Sequence, residues 1–559
     1  MHICEYFCTF AAKIQNSTFM KRFSFLLIAA LMGAFAMAQN DAYEQFRQQQ
    51  QAGFSRFKAN QQAEYDAFRK RVNEQYAAMM EHQWEAFQGK APVVPPVEPE
   101  VKPVQFEPQP QVTPEVTPEP TPEPTPEVTP EVTPEVAPEP APAPQPQVEE
   151  QPAPAPQPAP APVEDKPIPV QPVVAVVPVP EPAPAPIAPV QPKEDEAFQT
   201  ASMTFYGTPV KIGWPTPDNF QLKGLKEKQL ADAWKQLADA KYDVTVNNAL
   251  EARKNLNLCD WAYMRLLQEA CEQHYGKTNE AVFAQVFLLT QSGYRVRMAT
   301  GNNKLFLLIA SQFDICNMSY FVIDGIKFYP IDCTMRDLHI CKAAYEKEKS
   351  MSLQIAQVQN LTSKPSDKRT LTSKKGVTCS VSVNKNVIDF FNTYPSAYIN
   401  GDVTTRWAAY ANTPIEQSIK STLYPQLKKT IDGMSEKDAV NILLNWVQTA
   451  FVYEYDDKVW GGDRAFFAQE TLFYPYCDCE DRSILFSRLV RDLVGLDVVL
   501  LYYPGHLATA VGFNNEVRGD YLTYRGRKYT VCDPTYINAP VGRTMPGMDN
   551  QKAKVIILQ

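Results

Sequence analysis

The sequence predicts an α+β protein in which two related globular units follow one another, preceded by a long helix and a disordered proline-rich stalk. Three observations support this prediction. Helical and strand-like apolar patterns alternate after residue 195. Most of the 49 prolines fall between Lys90 and Lys193. Two segments in the C-terminal half share one Gly-Lys-aromatic-Asp-Thr pattern, which predicts the same kind of unit twice.

Residues 1–38 have the features of a signal peptide. Lys21 and Arg22 precede an apolar run over 23–35, and Ala36-Met37-Ala38 forms a small-x-small cleavage site. The run is too short to span a bilayer comfortably, and a retained membrane anchor is the alternative reading. We therefore expect an extracytoplasmic protein (periplasmic, cell-surface or secreted) with no transmembrane segment after cleavage.

Residues 39–90 predict one long amphipathic helix with an eleven-residue repeat. The aromatic pairs Tyr43/Phe46, Phe54/Phe57 and Tyr65/Phe68 recur at that interval. Eleven residues fill three helical turns, so the aromatic side chains form one narrow stripe. An aromatic stripe of this kind must be buried against another surface, and we favour self-association as a coiled coil through residues 41–89. An envelope partner or a membrane surface is the alternative.

Residues 91–194 are nearly free of aromatic side chains, so they cannot bury enough surface to offset the entropy of an ordered chain. Alternating prolines favour polyproline II, which makes this disordered linker a semi-rigid spacer. It could serve as a stalk across an envelope layer or as a simple linker.

The two globular units are predicted at residues 195–350 and 380–559, joined by a linker at 351–379 that is rich in Ser, Thr and Lys. In the first unit, the sequence favours helices over 232–240, 260–274 and 280–292, followed by strands over 296–298, 305–310 and 320–323. In the second, a capping box at Ser435 to Asp438 opens a helix. A helix over 479–494 and strands over 498–502, from residue 506 and from residue 528 follow.

Charge and cysteine content exclude several classes of function. The net charge is −9 and no Lys/Arg-rich stripe is present, so nucleic acid is not expected as a partner. Nine cysteines remain after signal cleavage, which fits one catalytic thiol with up to four disulfides, or several buried free thiols. No second close Cys or His pair complements Cys477 and Cys479 as a zinc site. We predict no metal and no cofactor.

Three residues have the chemistry and placement of a catalytic triad. Cys479 begins an apolar-periodic helix, where unpaired N–H groups and the helix dipole favour the thiolate. His506 opens a strand whose neighbours Ala508 and Ala510 are small, and Asp533 ends another strand. Adjacent strands would let Asp533 orient the imidazole of His506, which would in turn stabilise the thiolate.

The stretch Asp478-Cys479-Glu480-Asp481, the strand opening with His506, and the strand ending in Asp533-Pro-Thr resemble the transglutaminase-like superfamily of papain-type cysteine enzymes. The resemblance covers roughly residues 435–536. It implies a helix packed on an antiparallel sheet, with Cys479 as nucleophile, His506 as general base and acid, and Asp533 as the orienting group. One departure is Cys477, at a position where the family often has Gly.

An oxyanion hole would use the backbone N–H of Cys479 and one upstream side-chain donor. The candidate donors are Trp460, Gln469, Tyr474 and Tyr476.

The sequence predicts that the first unit is a degenerate copy of the second. Gly325 to Thr334 lines up with Gly526 to Thr535, and in this alignment the nucleophile position falls on Lys277 and the histidine position on Lys304 or Leu305. Only Asp332 matches a triad residue. A chance likeness between two α+β units is the alternative.

The residues and the resemblance together predict an exported cysteine hydrolase or acyltransferase, which would act on peptide or protein amide bonds through a thioester intermediate. Hydrolysis and transamidation both remain open. The alternative is a non-catalytic envelope interaction or scaffold protein that uses transglutaminase-like folds for binding.

Overall fold

The computed structural model describes residues 18–96, 101–108, 165–168, 175–176, 186, 198–239, 242–399 and 401–559. Residues 1–17 of the predicted signal peptide, the side chains of Thr18 to Phe46, and most of the proline-rich segment lie outside the described residues. The described part contains twelve α-helices: α1 (Thr18–Met80), α2 (Glu227–Asp239), α3 (Asp243–Asn255), α4 (Asp260–Tyr275), α5 (Asn279–Gln291), α6 (Lys385–Phe391), α7 (Arg406–Asn412), α8 (Gln417–Ile431), α9 (Glu436–Ala450), α10 (Asp456–Val459), α11 (Ala468–Phe473) and α12 (Cys479–Leu493).

The strands of the described residues, in chain order, are β1 (Trp84–Gln88), β2 (Lys166–Pro167), β3 (Ala175–Val176), β4 (Phe198–Phe205), β5 (Thr208–Pro215), β6 (Val296–Gly301), β7 (Lys304–Ala310), β8 (Asp314–Ile315), β9 (Phe321–Ile323), β10 (Ile326–Pro330), β11 (Asp337–Cys341), β12 (Arg369–Thr372), β13 (Thr378–Val381), β14 (Ala397–Tyr398), β15 (Val452–Tyr453), β16 (Tyr476–Cys477), β17 (Asp497–Tyr503), β18 (His506–Gly512), β19 (Asp520–Tyr524), β20 (Arg527–Cys532) and β21 (Lys554–Ile557). The protein is therefore of mixed α+β type, as predicted.

The helices and strands divide into two compact units. The first takes in Met1–Pro95, Val179–Lys364 and Lys385–Gly401, and the second takes in Pro96–Pro178, Pro365–Asn384 and Asp402–Gln559. The stretch 351–379, which the sequence predicts to be a linker, thus contains β12 and the start of β13, an antiparallel hairpin of the second unit. Its Ser- and Thr-rich strands carry too little apolar alternation to be found by periodicity.

Helix α1 is shorter at its C-terminal end than the sequence predicts. It ends at Met80, and residues 84–88 form strand β1 instead of continuing the helix to residue 90. The indole Nε1 of Trp84 donates to the Met80 carbonyl at 2.6 Å, and the Trp84 side chain is buried. If the helix continued, residue 84 would not be part of the first unit's sheet and its large apolar ring would lose this burial. None of the described helices is long and apolar enough to cross a membrane.

Among the described side chains of α1, the aromatic stripe is exposed at Phe54 and Phe57 and buried near the C-terminal end of the helix. Phe54 and Phe57 are 68% and 59% exposed, whereas Tyr76 is 3% exposed. The Tyr76 ring lies 4.4 Å from that of Trp234 and stacks on Tyr345 at 4.5 Å, measured between ring centroids. The last turns of α1 are therefore part of the first unit's core.

The first unit is built on a six-stranded antiparallel sheet with the strand order β1-β11-β6-β7-β10-β9. Helix α5 packs against β6 and β7, and α4 packs on α5. The apolar face of the sheet includes Leu308, Phe321 and Phe328, all fully buried.

The second unit is built on a seven-stranded sheet with the order β2-β19-β20-β18-β17-β21-β3. Its five central strands are antiparallel, and the two short outer strands, β2 and β3, pair in parallel. Helix α12 packs against β17 and β18. Both outer strands come from the segment 91–194 that the sequence predicts to be disordered, so short parts of it pair with the sheet edges.

The central strands of the two sheets have one and the same order. In the first unit, helix α5 precedes β6, β7, β9, β10 and β11, arranged in space as β11-β6-β7-β10-β9. In the second, helix α12 precedes β17, β18, β19, β20 and β21, arranged as β21-β17-β18-β20-β19. The fifth strand of each set thus returns to the far side of the first strand.

Candidate active site

Cys479 is the first residue of helix α12 and is 8% exposed. The carboxylate of Asp481, one turn into the helix, holds the start of the helix in place. Its Oδ2 accepts the backbone N–H of Asp478 at 3.3 Å, and its Oδ1 accepts that of Phe466 at 2.8 Å. Ser483 donates from its hydroxyl to the Leu507 carbonyl at 2.8 Å, which ties the same turn to strand β18.

His506 and Asp533 form a buried pair. The imidazole Nε2 lies 2.9 Å from Asp533 Oδ2, and both side chains are essentially inaccessible to solvent. The other carboxylate oxygen, Oδ1, accepts the backbone N–H groups of Thr535 at 2.9 Å and Tyr536 at 3.2 Å. The remaining ring nitrogen, Nδ1 of His506, has no hydrogen-bond partner among the described residues. The carboxylate is thus fixed by backbone donors and in turn fixes the ring.

The thiol of Cys479 is hydrogen-bonded to a carboxylate instead of to the imidazole. Its sulfur lies 3.1 Å from Glu480 Oε2. Burial raises the pKa of the Cys479 thiol well above its usual value, and the Glu480 and Asp478 carboxylates raise it further, while the backbone N–H of Leu507 acts in the opposite direction. The sulfur is therefore near the residue that follows His506, but the helix start does not produce the low thiol pKa that the sequence suggests.

A cluster of acidic side chains adjoins the thiol. The carboxylates of Asp456, Asp478 and Asp481 have oxygens within 4.8 Å of one another, and Glu480 forms a similar group with Asp456 and Asp463. Burial and the Glu480 charge raise the pKa of Asp456 to about 8. An all-oxygen set of this kind suits a hard cation such as Ca²⁺. The sequence predicts no metal, because it contains neither a second close Cys or His pair nor a calcium loop.

Three further residues support the site and were not identified from the sequence. Arg482, which is buried, donates from Nη1 to the Gln448 carbonyl at 3.1 Å and from Nη2 to the Phe451 carbonyl at 3.0 Å. Gln448 donates from Nε2 to the Asp533 carbonyl at 3.0 Å. These bonds join helices α9 and α12 to the end of β20. They could not be predicted because each one links segments distant in the chain.

Tyr453 is the third supporting residue. Burial, followed by the charge of Cys479, raises the pKa of its phenol strongly. Its ring also lies 5.2 Å from the Arg482 guanidinium. Tyr453 therefore belongs to the surroundings of the thiol.

The four predicted oxyanion donors are placed differently. Gln469 is buried and accepts the backbone N–H of Glu416 at 3.4 Å. The rings of Trp460 and Tyr474 pack against each other at 4.8 Å, and Tyr476 is 42% exposed. None of these described contacts involves Cys479, so the structure gives no preference among the four.

The nine cysteines in the described part of the chain are all free thiols. This is the second of the two arrangements that the sequence left open. Cys477 is buried, and its sulfur lies 3.8 Å from the Val452 carbonyl oxygen. It is therefore directed towards strand β15.

The corresponding region of the first unit carries different side chains. Asn279 begins helix α5, and Lys304 begins strand β7. Asp332 accepts from Arg265 at 3.2 Å and from Gln268 at 2.8 Å. Gln268, Asn279, Lys304 and Asp332 line a cavity of about 580 Å³, whose described lining includes Lys277 but neither cysteine nor histidine.

Comparison with known proteins adds no identification. Neither a family model, nor a curated protein, nor a solved structure matches the chain.

Proposed function

We propose that the chain is a cysteine hydrolase or acyltransferase that acts on peptide or protein amide bonds. The observation that carries the proposal is the buried bond of 2.9 Å between His506 Nε2 and Asp533 Oδ2. The residue after His506 is tied to the helix that begins at Cys479, because the Ser483 hydroxyl donates to the Leu507 carbonyl at 2.8 Å. A carboxylate, an imidazole and a thiol in this order are the parts of a nucleophilic triad.

The proposed chemistry follows from these groups. His506 Nδ1 would take the proton of Cys479, and the thiolate would attack the amide carbonyl carbon. The carbon–nitrogen bond would then break as the imidazolium gives its proton to the leaving amine, which leaves a thioester. Water would resolve it to an acid, and an amine would resolve it to a new amide. Asp533 would hold the ring and stabilise its protonated form.

The fold and the location form part of the proposal. The shared order of the five central strands supports two transglutaminase-like units in tandem, of which the first has lost its chemistry. The N-terminal charge pattern and the Ala36-Met37-Ala38 site support export to an extracytoplasmic compartment.

A second candidate function has its own support. The raised pKa of the Cys479 thiol and its bond to Glu480 favour a protein that binds peptides without cleaving them. The first unit, where the corresponding positions lack a thiol and an imidazole, would then be a second binding module.

Alkylation separates the two functions. The full chain would be treated with iodoacetamide at neutral pH, and the adducts on each cysteine would be followed by mass spectrometry. Catalytic pairing predicts selective labelling of Cys479 that His506→Ala abolishes. The matched control is His339→Ala, which breaks another histidine–carboxylate pair, 3.1 Å from Glu227 in the first unit. Labelling of Cys479 at the same rate in the parent chain and in His506→Ala rules out the enzyme.

A further inference from the structure

A short piece of the proline-rich segment lies along the second unit beside the candidate site. Gln105 forms a parallel β-bridge with Ile537. The Phe106 backbone N–H donates to the Ile537 carbonyl at 2.8 Å, and the Ile537 N–H donates to the Val104 carbonyl at 2.9 Å. Pro103, which has no N–H, interrupts neither bond. The segment 101–107 is therefore held through its main chain, as an added strand is held.

The side chains of this segment alternate in what they contact. Val101, Val104 and Phe106 pack against a buried cluster of Tyr536, Ala539 and Met545. The ring of Phe106 meets that of Tyr536 edge to face, with a centroid distance of 5.6 Å. Lys102 and Gln105 are exposed. The cluster thus accepts the apolar side chains of an extended peptide and leaves the others in solvent.

Both ends of the segment meet residues of the candidate site. At one end, the Tyr453 hydroxyl donates to the Val101 carbonyl at 3.3 Å, and Tyr453 pairs with Cys477, two residues before Cys479. At the other end, Tyr536 donates its backbone N–H to Asp533. The segment therefore contacts Tyr453, which pairs with Cys477 two residues before the thiol, and Tyr536, which is bonded to Asp533.

We propose that the surface formed by Tyr536, Ala539, Met545 and the Ile537 backbone is the substrate-binding subsite of the triad, and that it takes an extended peptide with apolar side chains. Residues 101–107 occupy this subsite and, because they belong to the same chain, compete with a free peptide for it. The inference rests on the proposed function and deepens it. A tethered segment competes at an effective concentration of about a millimolar, so a free peptide binds well only after the segment is displaced.

The test uses the full chain and a fluorescein-labelled synthetic peptide of residues 99–109. Binding would be measured by anisotropy in Cys479→Ser, in which no thiol can react, and in the same chain carrying Phe106→Ser or Gln105→Ser. Phe106→Ser removes the aromatic contact, whereas Gln105→Ser changes the adjacent exposed side chain and serves as the matched control. We expect Phe106→Ser to bind the peptide about tenfold more tightly than the other two chains, the size of effect typical of a buried aromatic anchor.

Hydrogen exchange at Ile537 provides a second readout, because its amide donates to the Val104 carbonyl. Exchange should be faster in Phe106→Ser than in Gln105→Ser. Equal peptide binding by all three chains, or unchanged exchange at Ile537, overturns the subsite proposal.

The same substitutions in the chain that retains Cys479 separate this inference from the proposed function. If Phe106→Ser both binds the peptide and raises the alkylation rate of Cys479, the subsite belongs to an active triad. Peptide binding with an unreactive Cys479 supports the peptide surface and counts against catalysis. Reactive Cys479 without peptide binding counts against the subsite alone.

Discussion

Glu480 Oε2 lies 3.1 Å from the sulfur of Cys479 and accepts a hydrogen bond from the thiol. A carboxylate in this position stabilises the thiol and opposes the thiolate, because two like charges would otherwise meet in a buried site. The imidazole of His506 is held by Asp533 through one nitrogen, while its other nitrogen has no partner in the described part of the chain. In the described part of the chain the Cys479 thiol therefore donates to Glu480, whereas Nδ1 of His506 is not engaged.

We predict that Glu480→Gln increases the reactivity of Cys479. The substitution removes the charge that raises the thiol pKa and preserves the size of the side chain. Alkylation at pH 7 should become faster by about tenfold, the effect of roughly one pKa unit on the thiolate population. In the parent chain the rate should keep rising with pH above neutrality, because a raised pKa delays thiolate formation. Glu516→Gln, at an exposed carboxylate of the same unit, serves as the control. Equal rates in both variants would contradict the role given to Glu480.

Asp533→Asn should lower the alkylation rate of Cys479 and any amidase activity. An amide at this position keeps the size of the side chain but cannot stabilise a protonated imidazole through Nε2. The rate should fall by about a hundredfold or more, which is the lower end of the contribution that a positioned general acid or base makes to a rate. Asp549→Asn, on an exposed turn, is the control. Full activity in Asp533→Asn would exclude the triad.

The sequence predicted those parts of the fold whose apolar patterns are long and whose ends carry clear signals. Helix α12 ends at Leu493, just before Gly495, and strand β18 starts at His506 after the Pro504-Gly505 turn, as the residues there indicate. The Ser435 cap also coincides with its prediction, since its hydroxyl accepts the Asp438 backbone N–H at 3.2 Å. In such segments local chemistry and tertiary packing agree.

Elements that depend on distant partners could not be predicted in this way. Trp84 forms a strand because β11 offers a free edge, and no local feature of residues 84–88 distinguishes it from the preceding helix. The contact between Glu480 and the thiol depends on side-chain direction at a helix start. Residues 101–107 pair with Ile537, more than 400 positions later in the sequence. Periodicity contains none of this information.

The acidic cluster should make the unfolding free energy depend on pH. The pKa of Asp456 is raised from its usual acidic range to about 8 by burial and by the Glu480 charge. The folded chain therefore binds more protons at this site than the unfolded chain between about pH 4 and pH 8. Stability from this group is complete at low pH and is lost as the pH rises through 8.

We expect Asp456 to make the melting temperature of the parent chain fall from pH 5 to pH 8. The contribution of the other titrating groups is removed by subtracting the profile of Asp456→Asn. Asp456→Asn should flatten this dependence, because its side chain cannot ionise. Asp432→Asn, on an exposed carboxylate after α8, should leave the dependence unchanged. A parent profile that rises with pH and is the same in Asp456→Asn would contradict the prediction. Added Ca²⁺ that reverses the fall would show that the cluster holds a cation instead of protons.

The last turns of α1 should be anchored by Asn73. Its Oδ1 accepts three hydrogen bonds, from Trp234 Nε1 at 3.0 Å, Gln291 Nε2 at 2.8 Å and the Tyr345 hydroxyl at 3.0 Å. Its own Nδ2 donates to the Arg69 carbonyl at 3.0 Å. Asn73 is 1% exposed, so water cannot replace the lost acceptor without a rearrangement. Each buried donor left without a partner costs about 1–3 kcal/mol.

Asn73→Ala should therefore destabilise the docking of α1 on the first unit by a few kcal/mol, about the cost of one or two unsatisfied donors after relaxation. Hydrogen exchange over residues 69–80 should become faster by at least about tenfold, since 1.4 kcal/mol of local opening corresponds to that factor. Lys70→Ala is the matched control, because the Lys70 side chain is 64% exposed and its ion pair with Glu74 is long, at 3.9 Å. If the two variants exchange alike over these residues, the three bonds to Asn73 do not hold the helix, and the other contacts of its last turns, among them the packing of Tyr76 and Met80, anchor it.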